Sequence, residues 1–337
     1  MTDPHVSVVI TTCNRAKLAR RAVQSVLRQE YSHFDIHIVD DASEDDTEQV
    51  LRAIAADHDG VFYWRHETRR RLPAARNTGI SHSTGECIAF LDDDDEWAPD
   101  CLRKRVDLLS SLPPADRAQL GVVYCGCQIL IVAEGRTVYN MPRITGDIRQ
   151  NICARDLYTI PSSCLFPRSV LQEVGGYDET LFSSVDHDIW MSLAAHGYHA
   201  YALNEPLVIS REMKQRQSMV TDVVPRIRGV EQYLAKWSGT FDQWFGQAGG
   251  QRYIRRYRTR VLGGLSGRKL GEGDFRNMWQ LARHVARENR WAASETLRLL
   301  RVMGRAAARA WIPASLLRGR TQADKTGHSR MVHSVRG

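Results

Sequence analysis

Apolar residues open the chain in short unbroken runs, each followed by a stretch in which they recur at helical spacing. Val6–Thr12 (VSVVITT) has the length and continuity of a buried strand. After a polar turn at Cys13-Asn14-Arg15, Leu18, Ala22 and Val26, with Val23 and Leu27, predict a helix to about Gln29. Asp35–Asp40 (DIHIVD) predicts a second strand ending in Asp40-Asp41, and Ser43 followed by Asp46 reads as a capping box for a helix through about Ala56. Val61–Trp64 predicts a third strand, and Arg69–Gly85 a helix opened by Pro73 and stopped by Gly85. Cys87–Leu91 predicts a fourth strand, which runs straight into Asp92-Asp93-Asp94-Asp95-Glu96 on a short loop, with Pro99 opening a helix over Pro99–Leu109. This β-α-β-α-β order predicts an α/β fold with a mostly parallel central sheet and helices on both faces.

Beyond about residue 120 the pattern is mixed. Val122–Ile131 and Arg136–Asn140 predict two strands paired across a turn at Gly135, and Ile160–Arg168 reads as a loop or an edge strand. Ser169–Val174 predicts a short helix closed by Gly175-Gly176. In the helix expected within Leu181–Tyr198, Asp186-His187-Asp188 stands before the apolar face Ile189, Trp190, Leu193 and Ala194, and Gly197 ends it. From about Thr221 the chain reads as arginine-rich helices, and Thr321–Gly337 as a disordered tail. The expected division is a catalytic domain over 1–220, with a ligand-binding half at about 1–120 and a second half at 121–220. A basic helical region over 221–320 and the tail 321–337 follow.

Charge sharpens this division. The net charge is +7, yet residues 251–337 carry 20 Lys/Arg against 5 Asp/Glu, which makes the body acidic and the arm basic. Seven scattered cysteines give neither a disulfide framework nor a zinc pattern, no apolar run reaches membrane-spanning length, and the first residues carry no secretory signal. The expected place is therefore the cytoplasm. No G-x-G-x-x-G or G-x-x-x-x-G-K follows a strand, so a nucleotide site must rest on acids at strand ends.

Open α/β sheets bind ligands beyond the carboxyl ends of their strands, which is where Asp92–Asp95 fall. Two carboxylates ~5 Å apart repel by roughly 3 kcal/mol at an effective dielectric of ~20, so a cluster of them calls for a cation. A hard divalent ion carrying substrate phosphates meets that need; a solvated acidic loop capping the next helix is the plain alternative.

Four segments together resemble the inverting family 2 glycosyltransferases of GT-A fold: VSVVITTCNR at 6–15, VDDASEDDT at 39–47, ARNTGI…GECIAFLDDDDEWAPD at 75–100 and GGYDETLFSSVDHDIWMSLAAHG at 175–197. The resemblance implies transfer of a sugar from a nucleotide-sugar donor, a UDP-sugar above all, with one divalent metal (Mn2+ or Mg2+). The expected acceptor is a hydroxyl of a glycan or lipid-linked glycan in cell-surface polysaccharide synthesis. By the same resemblance Thr11 helps seat the nucleoside, Asp41 accepts a hydrogen bond from the base, and Asp94 ligates the metal, with Asp92 on ribose or metal. Arg76 is a candidate for the diphosphate through its bidentate fork, as are Arg69, Arg70 and Arg71. Asp93 and Asp95 share the ambiguity of a run of four. Asp186 matches the general base, with Asp188 second; Val185 stands where the family has a further acid. Arg211, Arg216, Gln217 and Ser218 fall where the family has a basic segment closing over the diphosphate.

In the arm, Leu297, Leu300, Met303, Ala307 and Trp311 share a helical face opposite Arg298, Arg301, Arg305 and Arg309. Such a helix suits an anionic membrane surface on the inner face of the cell membrane, or a helical hairpin with solvated arginines. A nucleic-acid-binding protein using this arm is the competing class, but the arm has no recognition motif and the acidic body repels phosphate. A catalytically dead scaffold is the third reading, and the intact Asp41, Asp92, Asp94 and Asp186 argue against it.

Overall fold

The structure, a computed structural model, describes residues 3–132, 135–142, 144–154, 160–212, 222–290 and 293–311. It divides into two compact units, Met1–Gln217 and Ser218–Gly337. In the first, β1 (Val6–Thr12), β2 (Phe34–Asp40), β3 (Val61–Arg65) and β4 (Cys87–Asp92) pair in parallel in the order β3-β2-β1-β4. The helices between them are α1 (Ala16–Leu27), α2 (Thr47–Asp57) and α3 (Leu72–His82). Every residue of β1 is buried, which explains an apolar run without alternation. Its Val6, Val8 and Ile10 join Ala19, Ala22, Val23 and Val26 of α1 and Leu51 of α2 in one core, while Val9 meets Gly79 of α3.

From β1 the chain builds outward through β2 to β3, and β4 then lies on β1's other side. Thr11 stands opposite Asp92, and Thr12 opposite Asp40. This reversal opens a crevice at the carboxyl ends of β1 and β4, where such sheets bind ligands.

The remaining elements of this unit are β5 (Asp95–Trp97), α4 (Cys101–Ser111), α5 (Pro114–Ala118), β6 (Leu120–Ile131), β7 (Arg136–Asn140) and β8 (Gly146–Asp147). They continue with α6 (Ile148–Ala154), β9 (Cys164–Pro167), α7 (Arg168–Glu173), α8 (Val185–Ala195) and β10 (His199–Glu212). Beyond β4 the sheet runs β9-β6-β10-β5, with β9 antiparallel to both β4 and β6, and β10 parallel to β6.

Several local expectations are corrected. The acids do not sit on a loop: Asp92 ends β4, Asp93 and Asp94 form a tight turn, and Asp95 and Glu96 return in β5. The following helix starts at Cys101, after Pro99. Ser43 does not cap α2, which starts at Thr47; its hydroxyl bonds Asp40 instead and accepts the Asn14 amide. The segment around Pro161-Ser162-Ser163 makes a 3-10 turn leading into β9, which lies in the middle of the sheet rather than at its edge. Gly85 is required by packing, since a Cβ there would lie 2.7 Å from the Ser7 amide nitrogen.

In the second unit, α9 (Val223–Gly271) is interrupted at Gly246, where φ is 69°, and α10 (Phe275–Glu288) and α11 (Ala293–Trp311) both pack against it. The apolar face expected on α11 is rotated: Leu299 and Met303 are buried, while Leu297 and Leu300 are more than half exposed. The tail 321–337 lies outside the described residues. Among the described residues no helix is long and apolar enough to cross a membrane.

A Cβ at Gly79 would stand 2.2 Å from Val9 Cγ1, and overpacking of this kind costs about 1–3 kcal/mol against a helix-propensity gain of about 1. Gly79→Ala should therefore lower stability in urea unfolding. Gly264→Ala, where α9 leaves open space, should raise it by up to ~1 kcal/mol.

Candidate active site

Arg76, on α3, is the centre of the crevice. Its side chain is 1% exposed, and its Nη2 donates to Asp92 Oδ1 at 2.9 Å while Nη1 donates to Asp186 Oδ1 at 2.7 Å. The guanidinium also lies 4.9 Å from the Tyr177 ring centroid. A guanidinium cannot lose its charge inside a protein, so burial is tolerable only with carboxylates on it. Arg76, a candidate for the diphosphate by sequence, has both Nη atoms on carboxylates in this structure. Both arms are engaged, and they tie the end of β4 to the start of α8.

Asp186 and Asp188 occupy the first turn of α8, where acids complement the helix dipole. They differ sharply in access: the Asp186 side chain is 40% exposed, whereas Asp188 is 2% exposed. Only Asp186 can meet an incoming group. Its position is set from α3 as well, because Asn77 exchanges two hydrogen bonds with the Tyr177 backbone, at 2.8 and 2.9 Å. Gly176, at φ 67°, bends the chain into Tyr177, and a Cβ there would lie 2.8 Å from Asn77 Oδ1.

A second cation gathers the acid turn. Arg15 Nη1 contacts Asp93 Oδ1 at 2.9 Å and Asp94 Oδ2 at 3.2 Å, and Thr12 donates to Asp93 Oδ2 at 2.8 Å. Burial, opposed by Arg15 and assisted by Asp94, pushes the Asp93 carboxyl up to about 6. Burial and the charges of Asp92 and Asp94 push Asp95 up to about 7. Ser162 ties Asp95 to β4, donating to Asp95 Oδ2 at 2.7 Å and accepting the Asp92 amide at 3.1 Å. Asp95 Oδ1 is buried with no hydrogen-bond donor among the described residues.

Asp41 belongs to a neighbouring network at the end of β2. Its carboxylate accepts the backbone amides of Arg70 and Arg71, each at 2.7 Å, and faces His66 Nδ1 at 2.8 Å. With about four lone-pair sites on a carboxylate, one remains open. These contacts hold Arg71 in a left-handed conformation, φ 76°, just before α3. The Arg70 side chain pairs with Glu179, and the Arg71 guanidinium donates to the Leu181 and Glu179 carbonyls. Arg69 is exposed, and neither it nor Arg71 has an ion pair among the described residues. Thr11 is buried beside Asp92 across the β1–β4 ladder. Arg211, expected over the diphosphate, is held by Glu96 at 2.8 Å; Arg216, Gln217 and Ser218 lie outside the described residues.

The residues at the turn fit a hard divalent cation by their chemistry. Asp93 and Asp94 pair with Arg15, Asp92 and Asp186 with Arg76, and Glu96 with Arg21 and Arg211, while Asp95 keeps a buried oxygen without a hydrogen-bond partner among the described residues. Among the described residues no three His, Cys, Asp or Glu side chains converge into a closed metal cage. An ion here would be held by one or two carboxylates, with substrate phosphates completing its shell. Arg15, Thr12, His66 and Ser162 were not marked by the sequence pattern. Thr12 and Arg15 alone had a signal, their place in the VSVVITTCNR segment at 6–15.

The profile of the Glycosyl transferase family 2 matches residues 7–175. An uncharacterized glycosyltransferase of Rickettsia typhi is 27% identical over 245 residues, covering 70% of this chain and 71% of that protein. A glycosyl transferase of Escherichia coli K12 named for colanic acid biosynthesis is 27% identical over 249 residues, covering 72% and 84%. A mannosyltransferase of Pyrobaculum calidifontis, solved with GDP-Man and Mn2+, superimposes with a TM-score of 0.57 at 19% identity, covering 92% of this chain and 88% of that one. TarS of Staphylococcus aureus, solved with UDP-GlcNAc, does so with a TM-score of 0.57 at 15% identity, covering 90% and 81%. Fold and family agree: the chain has the GT-A fold and belongs to the family 2 glycosyltransferases, which makes it a sugar-transferring enzyme.

Proposed function

We propose that this enzyme transfers a sugar from a nucleotide-sugar donor to a hydroxyl of a glycan or lipid-linked glycan, with inversion, using Asp186 as general base. The observation that carries the reading is the shared ion pairing of Asp92 and Asp186 with Arg76, which brings the donor-side and acceptor-side acids to one crevice. Support for the acceptor class comes from two relatives: the E. coli enzyme, and a Campylobacter jejuni glucosyltransferase whose name specifies GalNAc(5)-diNAcBac-PP-undecaprenol. The latter is 35% identical over 94 residues, covering 28% of this chain and 30% of that protein.

In this reading the base of the donor meets the open lone pair of Asp41, and Thr11 lies under the nucleoside. Arg69, exposed and without an ion pair among the described residues, is the arginine assigned to the diphosphate. Asp94 and Asp92 would hold Mn2+ or Mg2+, which when bound supplies positive charge to the phosphates of the leaving group. Asp186 takes the proton of the acceptor hydroxyl as its oxygen attacks the anomeric carbon from the face opposite the diphosphate. The bond from that carbon to the phosphate oxygen breaks, and its electron pair leaves with the nucleoside diphosphate. Inversion follows from the single displacement. Arg76 does not touch the sugar in this scheme; it fixes Asp186 and keeps it in reach of the donor side.

Three outcomes are expected. With a panel of UDP- and GDP-sugars and Mn2+, Asp94→Ala should abolish the metal-dependent rise in melting temperature given by the preferred donor. Asp186→Asn should keep that rise and lose transfer by about 10²–10⁴-fold, read as nucleoside diphosphate released in the presence of acceptor. Full transfer by Asp186→Asn would remove it from the base role. Arg76→Gln should lower kcat by at least ~10²-fold, since misplacement of a reacting group by about 1 Å has that effect, and Arg76→Lys should recover part of it.

A further inference from the structure

The second unit exposes an aromatic and cationic face that the catalytic reading does not use. On α10, Met278, Leu281, Ala282, Val285 and Ala286 are buried. The opposite side shows Phe275, Trp279, Arg283 and Arg287 at four-residue intervals, a stripe about 18 Å long. Phe275 is 60% and Trp279 66% exposed, high values for side chains of this size. The stripe continues onto the first turns of α9. There Val224, 63% exposed, and Ile227 and Arg228 face Trp279, Arg283 and Arg287 across a concavity of about 770 Å³.

The charge lining this concavity is one-sided. His284 also lines it and is bonded to Glu231 at 3.0 Å, and that carboxylate is in turn clamped by Arg258 at 2.7 Å. Glu288 lies 3.9 Å from Arg287 Nε, and Asp222 and Asp274 stand at the N-cap positions of α9 and α10, near Val224 and Phe275. Three guanidinium groups thus surround a rim of exposed apolar side chains. Aromatic rings beside arginines are the composition of a surface that settles at the headgroup level of a bilayer, where rings meet the acyl boundary and cations meet phosphate. A nucleic acid would answer the arginines but leave Val224 and Phe275 without a partner.

We propose that the outer face of α10, with the first turns of α9, docks this enzyme on the headgroup layer of an anionic phospholipid bilayer. Phe275 and Trp279 enter the interface, and Arg283 and Arg287 pair with lipid phosphate. This puts the membrane contact on α10 rather than on α11, whose apolar spacing suits either a membrane surface or a helical hairpin, and it stands apart from the assignment of Asp186.

The test is co-flotation of the full-length chain with vesicles of phosphatidylcholine alone or mixed with phosphatidylglycerol. The chain should float with the mixed vesicles only and dissociate as salt rises. Arg283→Glu and Arg287→Glu should each weaken binding about fivefold. Trp279→Ser, a change at an exposed position, should weaken it at least as much. Leu297→Ser with Leu300→Ser on α11, and Asp186→Asn, should leave it intact. The proposal is overturned if the mixed vesicles are not bound, if the α10 variants float as well as the parent, or if the α11 variant abolishes binding. Displacement from the vesicles by duplex DNA at equal phosphate, with the Trp279→Ser chain binding that duplex undiminished, would overturn it in favour of a nucleic-acid surface.

Discussion

The crevice depends on one buried cation. Arg76 has no water to solvate it, so the two carboxylates it binds are required by physics before they are required by chemistry. Those carboxylates arrive from the end of β4 and from the first turn of α8, residues 92 and 186. The guanidinium therefore fixes the distance between these two carboxylates. Any change that loosens it leaves a buried charge with half its compensation, an arrangement worth several kcal/mol.

Around that fixed point the acid turn is under electrostatic tension. Asp93 and Asp94 share Arg15, Asp92 and Asp186 share Arg76, and burial already drives Asp93 and Asp95 toward protonation near neutral pH. Arg15 holds Asp93 and Asp94 together from the β1 side. A divalent ion arriving with a diphosphate would add positive charge where it is deficient, and phosphate oxygens would complete its shell. The same deficit explains why acids so close in sequence need a turn between two strands, which points successive side chains to different partners.

How much of this the sequence reveals differs between elements for physical reasons. β1 and β4 were legible because strands buried on both faces leave near-continuous apolar runs, and β2 and β3 because short apolar stretches stand between turn signals. Asp92, Asp94 and Asp186 were legible as candidates because strand ends and helix starts have local signals. β9 was not, being four residues long and central only because two distant strands flank it. β10 was missed because its apolar positions are interrupted by Asn204-Glu205-Pro206, where its register against β6 shifts. The duty of Arg76 was hidden for a similar reason: its partners lie 16 and 110 residues away, and an isolated arginine on a helix reads equally well as a phosphate ligand. On α11 the spacing gave a helical face correctly but could not tell which side α9 would cover.

The pairing of β5 with β10 has a consequence for the birth of the molecule. Asp95, Glu96 and Trp97 find their strand partners only at Ser210, Ile209 and Val208, over a hundred residues later. On a ribosome the parallel layer β3-β2-β1-β4 can assemble early, while the outgoing half of the acid turn has no ladder to join. Closing so long a loop is slow compared with local pairing. The acid turn is thus among the last parts of its sheet to set, and the nascent enzyme acquires its reactive geometry only after nearly the whole first unit has been made.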